Sequence, residues 1–338
     1  MRSALITTCI VTAMVGATAA PAQQRLQAEC RQEIRALCGG DRGNIRACLR
    51  ENHSELSETC SSELRERMKQ RRSDRSGQST KLPPQKFDVI TYGDHLRQAV
   101  DFHRAEGGAG SPPLILFVHG GGWAMGDRTR STHAKAEYFT GQGYAFASAG
   151  YRVLPDAPVE DQARDVAAAI AKLRSEADEL GFDRDRIVLM GHSAGAHLAA
   201  LVATDPSYAG SDMDAISAVV LLDGAGYDVP ARMSGKIHLV SKLYKDAFGT
   251  DPARQAALSP ITHTGGDDAP NWIILHVANR ADSAKQSNAL GEKLREAGAD
   301  VEVVAVSNTS HSKLNRNLGA DGDIATGKVD SFLAGLFR

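Results

Sequence analysis

The sequence predicts an α/β fold with a mostly parallel central sheet flanked by helices, preceded by a small disulfide-linked helical module. Three observations lead there. From Phe87 onward, short apolar runs alternate with longer amphipathic segments, the rhythm of strands joined by crossover helices. Four of the five cysteines, Cys30, Cys38, Cys48 and Cys60, crowd into one short stretch near the N-terminus. Between these regions, "QRRSDRSGQSTKLPPQK" is polar, basic and without periodicity, as a linker is.

The elements follow in order. "MRSALITTCIVTAMVGATAAPAQQ" has an early arginine, an apolar stretch near Ala4 to Val15, and small residues at Ala17, Ala19, Ala20 and Ala22. This pattern predicts a signal peptide over residues 1–22, removed on export to the periplasm or beyond. The apolar part is shorter than the roughly 20 residues a membrane span needs, and no later segment is long and apolar enough, so the mature chain is expected to have no transmembrane segment.

Residues 23–72 are rich in Glu, Arg, Leu and Cys and lack proline, which predicts two or three short helices. They hold too few apolar side chains to fold unaided, and an oxidising compartment favours disulfides. Cysteine spacings of seven, nine and eleven residues do not suit a zinc site, and four cysteines leave three possible pairings open. The run "C-x7-C-G-G-D" with "C-L-x-E-N" and "L-S-x-x-C" resembles the cysteine-rich repeats of Golgi apparatus protein 1, which implies a helical disulfide module and no activity. Between Arg25 and Lys81 stand 13 basic and 9 acidic residues. The module therefore offers a contact surface for another protein or an anionic surface, though such charge ordinarily lies on a solvated helical face. Residues 73–86 are the linker, and a catalytic domain is expected over 87–338.

Within that domain "PLILFVHG", "YAFASAGYRVL", "RIVLMG", "AVVLLDG", "NWIILHVA" and "VEVVAVS" read as buried strands. "VEDQARDVAAAIAKLRSEADEL", "AGAHLAALVAT", "SAKQSNALGEKLREAG" and "KVDSFLAGLF" read as helices. "DVITYG" and "RQAVDFHR", with no helix between them, suit an antiparallel entry to the sheet. With 42% hydrophobic and 24% charged residues and a formal net charge of -2, the chain offers no electrostatic case for nucleic acid.

The candidate chemistry centres on "LMGHSAGAHL". A G-x-S-x-G match arises by chance roughly 0.2 times in a chain this long, so its context decides. Ser193 lies directly after a strand and before a helix, where two glycines permit a cramped turn that lifts the hydroxyl above the sheet. A serine hydroxyl needs a base, and the base needs a carboxylate to fix its tautomer. The fold orders them Ser, acid, His, which points to His311 beyond the last strand. For the acid, Asp282 follows the strand "NWIILHVA" and is favoured over Asp223, which ends the strand before it. "HGGGW" follows the first parallel strand and supplies backbone donors: Gly121 and Gly122, with Ala194, are the expected oxyanion hole. His119 reads as a turn-stabilising residue, and Trp123 either walls a substrate pocket or packs against its loop.

Residues 87–338 resemble the α/β-hydrolase superfamily in its bacterial esterase and lipase branch, near the hormone-sensitive-lipase-like and feruloyl-esterase-like groups. The stretches that carry the resemblance are "HGGGW", "GYRVLPDAP", "GHSAGAHLAAL", "FGTDPARQAALSPI" and "ILHVANRADSAKQSNAL". His192 departs from the usual G-D-S-A-G elbow, and "GHSAGAHL" is also similar to kynurenine formamidases. The resemblance implies an exported serine carboxylesterase acting on short-chain or aromatic esters, with a small-molecule ester as partner and no metal or organic cofactor. An aryl-formamidase-type amidase and a catalytically idle binding protein are the alternatives. Only a modest lid is expected, from the insertion between Gly226 and Asp268.

Overall fold

The computed structural model describes residues 27–38, 56–64, 66, 87–107, 110–130, 132–234 and 238–337. The chain divides into two compact units, Met1–Pro84 and Gln85–Arg338. The expected signal peptide and linker, together with Cys48, lie outside the described residues.

In the first unit α1 (Ala28–Cys38) and a helical stretch at 58–64 are joined by a disulfide between Cys30 and Cys60. The core at this junction consists of the two half-cystines and Ile34, with Leu56 and Leu64 packed against them. Glu33 adds a second tie, accepting from the hydroxyl of Ser57 at 2.8 Å.

The second unit is built on an eight-stranded sheet. Its strands are β1 (Asp88–Thr91), β2 (Ala99–His103), β3 (Leu114–Val118), β4 (Ala145–Ala149), β5 (Ile187–His192), β6 (Ile216–Leu222), β7 (Asn271–Val277) and β8 (Asp300–Val306). Their spatial order is β1-β2-β4-β3-β5-β6-β7-β8. β1 and β2 enter antiparallel, and from β4 to β8 every pairing is parallel.

The central strands are apolar throughout because both faces of the sheet are covered. Leu114, Leu116, Ile187, Leu189, Val219 and Leu221 face one core, while Ile115, Phe117, Val188, Met190, Val220 and Leu222 face the other. The helices that cover these faces include α2 (His133–Gly141), α3 (Val159–Ser175), α4 (Ala194–Thr204), α5 (Val229–Met233), α6 (His238–Phe248), α7 (Ala281–Glu296), α8 (His311–Arg316) and α9 (Ile324–Phe337), with further short helical segments between.

In α3, Glu160 and Asp161 in the first turn and Lys172 and Arg174 in the last complement the helix dipole. All eleven residues of α4 are buried, so the helix is apolar all round and sits between the sheet and its neighbours. α2 has no counterpart among the expected helices: "HAKAEYFTG" carries no apolar stripe, and it buries Lys135 along with Ala136 and Phe139.

Because β5, β6, β7 and β8 are adjacent and parallel, the turns that leave them lie side by side at one edge. That edge is where ligands of open α/β sheets collect.

Candidate active site

Ser193 follows β5 with φ 56° and ψ -120°, a left-handed conformation for a residue with a side chain. The turn is that tight because Gly191 and Gly195 nearly touch: a Cβ on Gly191 would lie 2.3 Å from the Gly195 carbonyl oxygen. The backbone N–H of Ser193 donates to Leu222 O at 3.1 Å, tying the turn to the end of β6. The side chain stands at the N-terminus of α4.

His311 opens α8, a single helical turn capped by the side chain of Ser310. Its Nε2 lies 3.0 Å from Ser193 Oγ, and its Nδ1 lies 2.7 Å from Asp223 Oδ2. An ionised carboxylate only accepts, so Nδ1 carries the proton and Nε2 is left to take the serine's. The serine-to-histidine-to-aspartate relay is therefore assembled from the ends of β5, β8 and β6.

The acid expected at Asp282 is corrected to Asp223. Asp282 lies in the first turn of α7, half exposed, where its carboxylate pairs with Arg232 of α5 at 3.3 Å. Asp223 extends β6, its backbone N–H donating to Leu275 O at 2.7 Å, and at φ 47° it turns a fully buried side chain toward His311. The turn after β7 contributes Arg280, whose guanidinium donates to Asp223 Oδ2 and lies 2.7 Å from His311 Nδ1. The other carboxylate oxygen of Asp223 accepts from Val277 N at 3.0 Å and Ser283 Oγ at 2.7 Å. Burial pushes the Asp223 carboxyl up. The hydrogen bonds from His311, Val277 and Ser283, with the charge of Arg280, outweigh burial and hold the group well below the usual carboxylate range.

Gly120, Gly121 and Gly122 line the same cavity as Ser193 and His311, a space of about 400 Å³ that also meets Asp127, Arg130, Ser312 and Asn315. Gly121 sits at φ 139°, and a Cβ there would lie 2.0 Å from Met125 O, so the loop admits no side chain at this point. Ala194 is the first residue of α4, where backbone N–H groups have no acceptor within the helix. His119 steadies the loop. Its Nδ1–H donates to Gly120 O at 2.8 Å, its ring stacks on Tyr151 at 4.2 Å, and the Tyr151 hydroxyl donates to its carbonyl at 2.7 Å. Burial lowers the His119 pKa to about 4, so it stays neutral at pH 7.

Trp123 is buried, and it packs rather than walling that cavity. Its Nε1 donates to His197 Nδ1 at 3.2 Å, and its ring meets Tyr244 and Phe248 of α6 edge-on. Leu243 of the same helix covers the glycine loop, since a Cβ on Gly122 would lie 2.9 Å from its Cδ1.

Sequence reasoning missed His192 and Arg280. His192 Nε2–H donates to the backbone carbonyl of His311 at 3.0 Å, and the two rings lie 4.6 Å apart. Burial, with the neighbouring His311 charge, lowers the His192 pKa to about 3. Among the described residues no cluster of three or more His, Cys, Asp or Glu could hold a metal, and no helix is long and apolar enough to cross a membrane.

This chain is similar to known esterases. Esterase LipC of Mycobacterium tuberculosis (strain ATCC 25618 / H37Rv) is 37% identical over 201 residues, which is 55% of this chain and 49% of that protein. The probable carboxylic ester hydrolase LipM of the same organism is 29% identical over 182 residues, 50% of this chain and 42% of that one. The chain thus spans about half the length of these curated relatives, or less. Among solved structures, the propionate-bound esterase Est2 of Thermogutta terrifontis is 25% identical with a TM-score of 0.59, covering 75% of this chain and 96% of that one. The butyrate-bound form is 26% identical with a TM-score of 0.60. The BD-FAE family model matches residues 100–294, from β2 into α7 and across the glycine loop, Ser193 and Asp223. With more than half of its length so matched and the α/β-hydrolase fold around it, the chain belongs to the BD-FAE family.

Proposed function

We propose that the protein is a serine carboxylesterase that hydrolyses esters of short acyl groups through an acyl-enzyme on Ser193. The observation that carries this reading is the relay itself, with Ser193 Oγ 3.0 Å from His311 Nε2 and His311 Nδ1 2.7 Å from Asp223, beside a glycine loop free of side chains. His311 takes the serine proton as Oγ attacks the carbonyl carbon. Asp223 keeps Nδ1 protonated and offsets the imidazolium charge. The tetrahedral oxyanion rests on the amides of Gly121, Gly122 and Ala194. His311 then protonates the leaving alcohol, and water drawn through the same base releases the acid.

Short acyl groups are favoured because one flank of the glycine loop, on the side of α6, is already filled. Leu243 lies on Gly122, and Trp123, Tyr244 and Phe248 occupy the volume behind it. The Est2 structures bound to propionate and butyrate lend support to the same reading. Export to the periplasm or beyond belongs to the proposal, supported by the leader-like first residues and by the disulfide of the first unit.

The test is turnover of p-nitrophenyl esters of graded acyl length by the wild type and by Ser193→Ala. Wild-type rates that fall as the acyl chain lengthens, with loss of at least about 10³-fold in the variant, are expected. Equal turnover by Ser193→Ala overturns the mechanism.

A further inference from the structure

Arg280 occupies the turn after β7, where the carboxylate was expected, and the relay as described does not use it. Its Nη1 donates to Asp223 Oδ2, the same oxygen that accepts from His311, and lies 2.7 Å from His311 Nδ1. Asp223 is wholly buried, while the Arg280 side chain is 38% exposed and forms the solvent-side cover of the pair. The carboxylate is therefore gripped at both oxygens: Val277 N and Ser283 Oγ hold Oδ1, and His311 and Arg280 hold Oδ2.

We propose that Arg280 is a positioning residue for the His311 base, acting through Asp223; the inference rests on the esterase reading of Ser193. Two arrangements are open to the three groups. In one, Nδ1–H donates to Asp223, and the free Nε2 lone pair faces Ser193. In the other, Nη1–H donates to a bare Nδ1, and the proton sits on Nε2, where it cannot accept the serine's. An ionised carboxylate is a much stronger acceptor than a neutral imidazole nitrogen, so both N–H groups turn to it and the first arrangement prevails. Arg280 thereby fixes the rotation of the carboxylate about its long axis and keeps water from the exposed edge of the pair. Loss of the guanidinium frees Oδ2 to swing and lets solvent compete for Nδ1.

The other charged groups nearby have different partners. Asp282 is paired with Arg232, Lys135 Nζ donates to Asn315 O, and His192 is neutral and bound to the His311 carbonyl.

The test compares full-length wild type, Arg280→Met and Arg280→Lys on p-nitrophenyl acetate, with the active fraction counted by a fluorophosphonate probe. Arg280→Met is expected to lower kcat per labelled site on the order of tenfold, with KM unchanged within about twofold, because alignment of the base matters only in the chemical step. Arg280→Lys, which can still donate to Oδ2, is expected to recover most of the rate. Wild-type kcat per labelled site in Arg280→Met, a higher kcat, or a loss confined to KM overturns the inference, and so does a melting-temperature drop with normal kcat per labelled site. Full turnover by Ser193→Ala would instead remove the reading of the site, and this inference with it.

Discussion

His192 Nε2 and the backbone carbonyl of His311, 119 residues apart in the chain, lie 3.0 Å from one another. The elbow that carries the nucleophile is thereby tied to the turn that carries its base. The bond requires the proton on Nε2, since a carbonyl oxygen only accepts. A pKa lowered to about 3 by burial and by the His311 charge keeps it neutral at working pH.

Replacing this tether tests its role. His192→Phe retains a ring against His311 and removes the donor, leaving the His311 carbonyl with only its helical partner, at a cost of about 0.5 to 1.5 kcal/mol. On p-nitrophenyl acetate, kcat is expected to fall on the order of tenfold while KM moves little. An unchanged kcat would show that the base is held by other contacts.

The two aspartates separate cleanly by mutation. Asp223→Asn is expected to cut kcat by about 10³- to 10⁴-fold, because the amide no longer fixes the histidine tautomer. Asp282→Asn is expected to keep kcat within about threefold and to cost on the order of 1 kcal/mol in urea unfolding, the value of a half-exposed ion pair. The reverse pattern would return the acid to Asp282.

Acid should destabilise the fold before it reaches the carboxylates. His119, His192 and His197 are buried and lowered to about 4, 3 and 4 by burial first, whereas in the unfolded chain a histidine titrates near 6.5. Below about pH 6.5 the unfolded state binds more protons than the folded one, so stability falls as pH falls, until the folded-state values are reached near pH 4. The expected loss is about 1 to 2 kcal/mol for each histidine between pH ~7 and ~5, read by urea unfolding at the two values. Equal stability at both would mean that these rings titrate in the fold as they do in the unfolded chain.

The disulfide should matter to one unit and not to the other. Cys60→Ser opens a loop closed across 30 residues, around a core of only a few apolar side chains. Loss of about 2 to 4 kcal/mol is expected, enough to unfold the first unit, as followed by protease susceptibility before Pro84. Esterase turnover by the second unit is expected to be unchanged, and a parallel loss of rate would show that the module supports catalysis.

The alternation of apolar and amphipathic runs made the sheet and most of its helices legible in the sequence. α2 escaped because its apolar residues form no stripe and one of its buried side chains is a lysine. Ser193 and His311 were legible because each is marked by its place at a strand end as well as by its chemistry. The acid was not. Asp223 and Asp282 both follow strands, and only the backbone directions decide: one turns inward at positive φ, the other joins the outer face of α7. The partnership of His192 with a backbone carbonyl 119 residues on leaves no trace in residue types, since any residue has a carbonyl to offer. Arg280 was hidden for a related reason: an arginine beside a catalytic carboxylate reads, in sequence, as ordinary surface charge.

The order of β5, β6, β7 and β8 across the sheet is also their order along the chain. The nucleophile, its acid and the arginine that grips the acid are therefore synthesised before the base. Residues up to 299 can lay down three of the four strand ends, yet they leave Ser193 with nothing to accept its proton. On the proposed mechanism a nascent or truncated chain lacks the base for ester attack whatever its degree of folding, and it gains that base only when β8 docks and brings α8 over the elbow. Chemical competence arrives last, at the outermost of the four strands, and serves as a readout that the sheet has been completed.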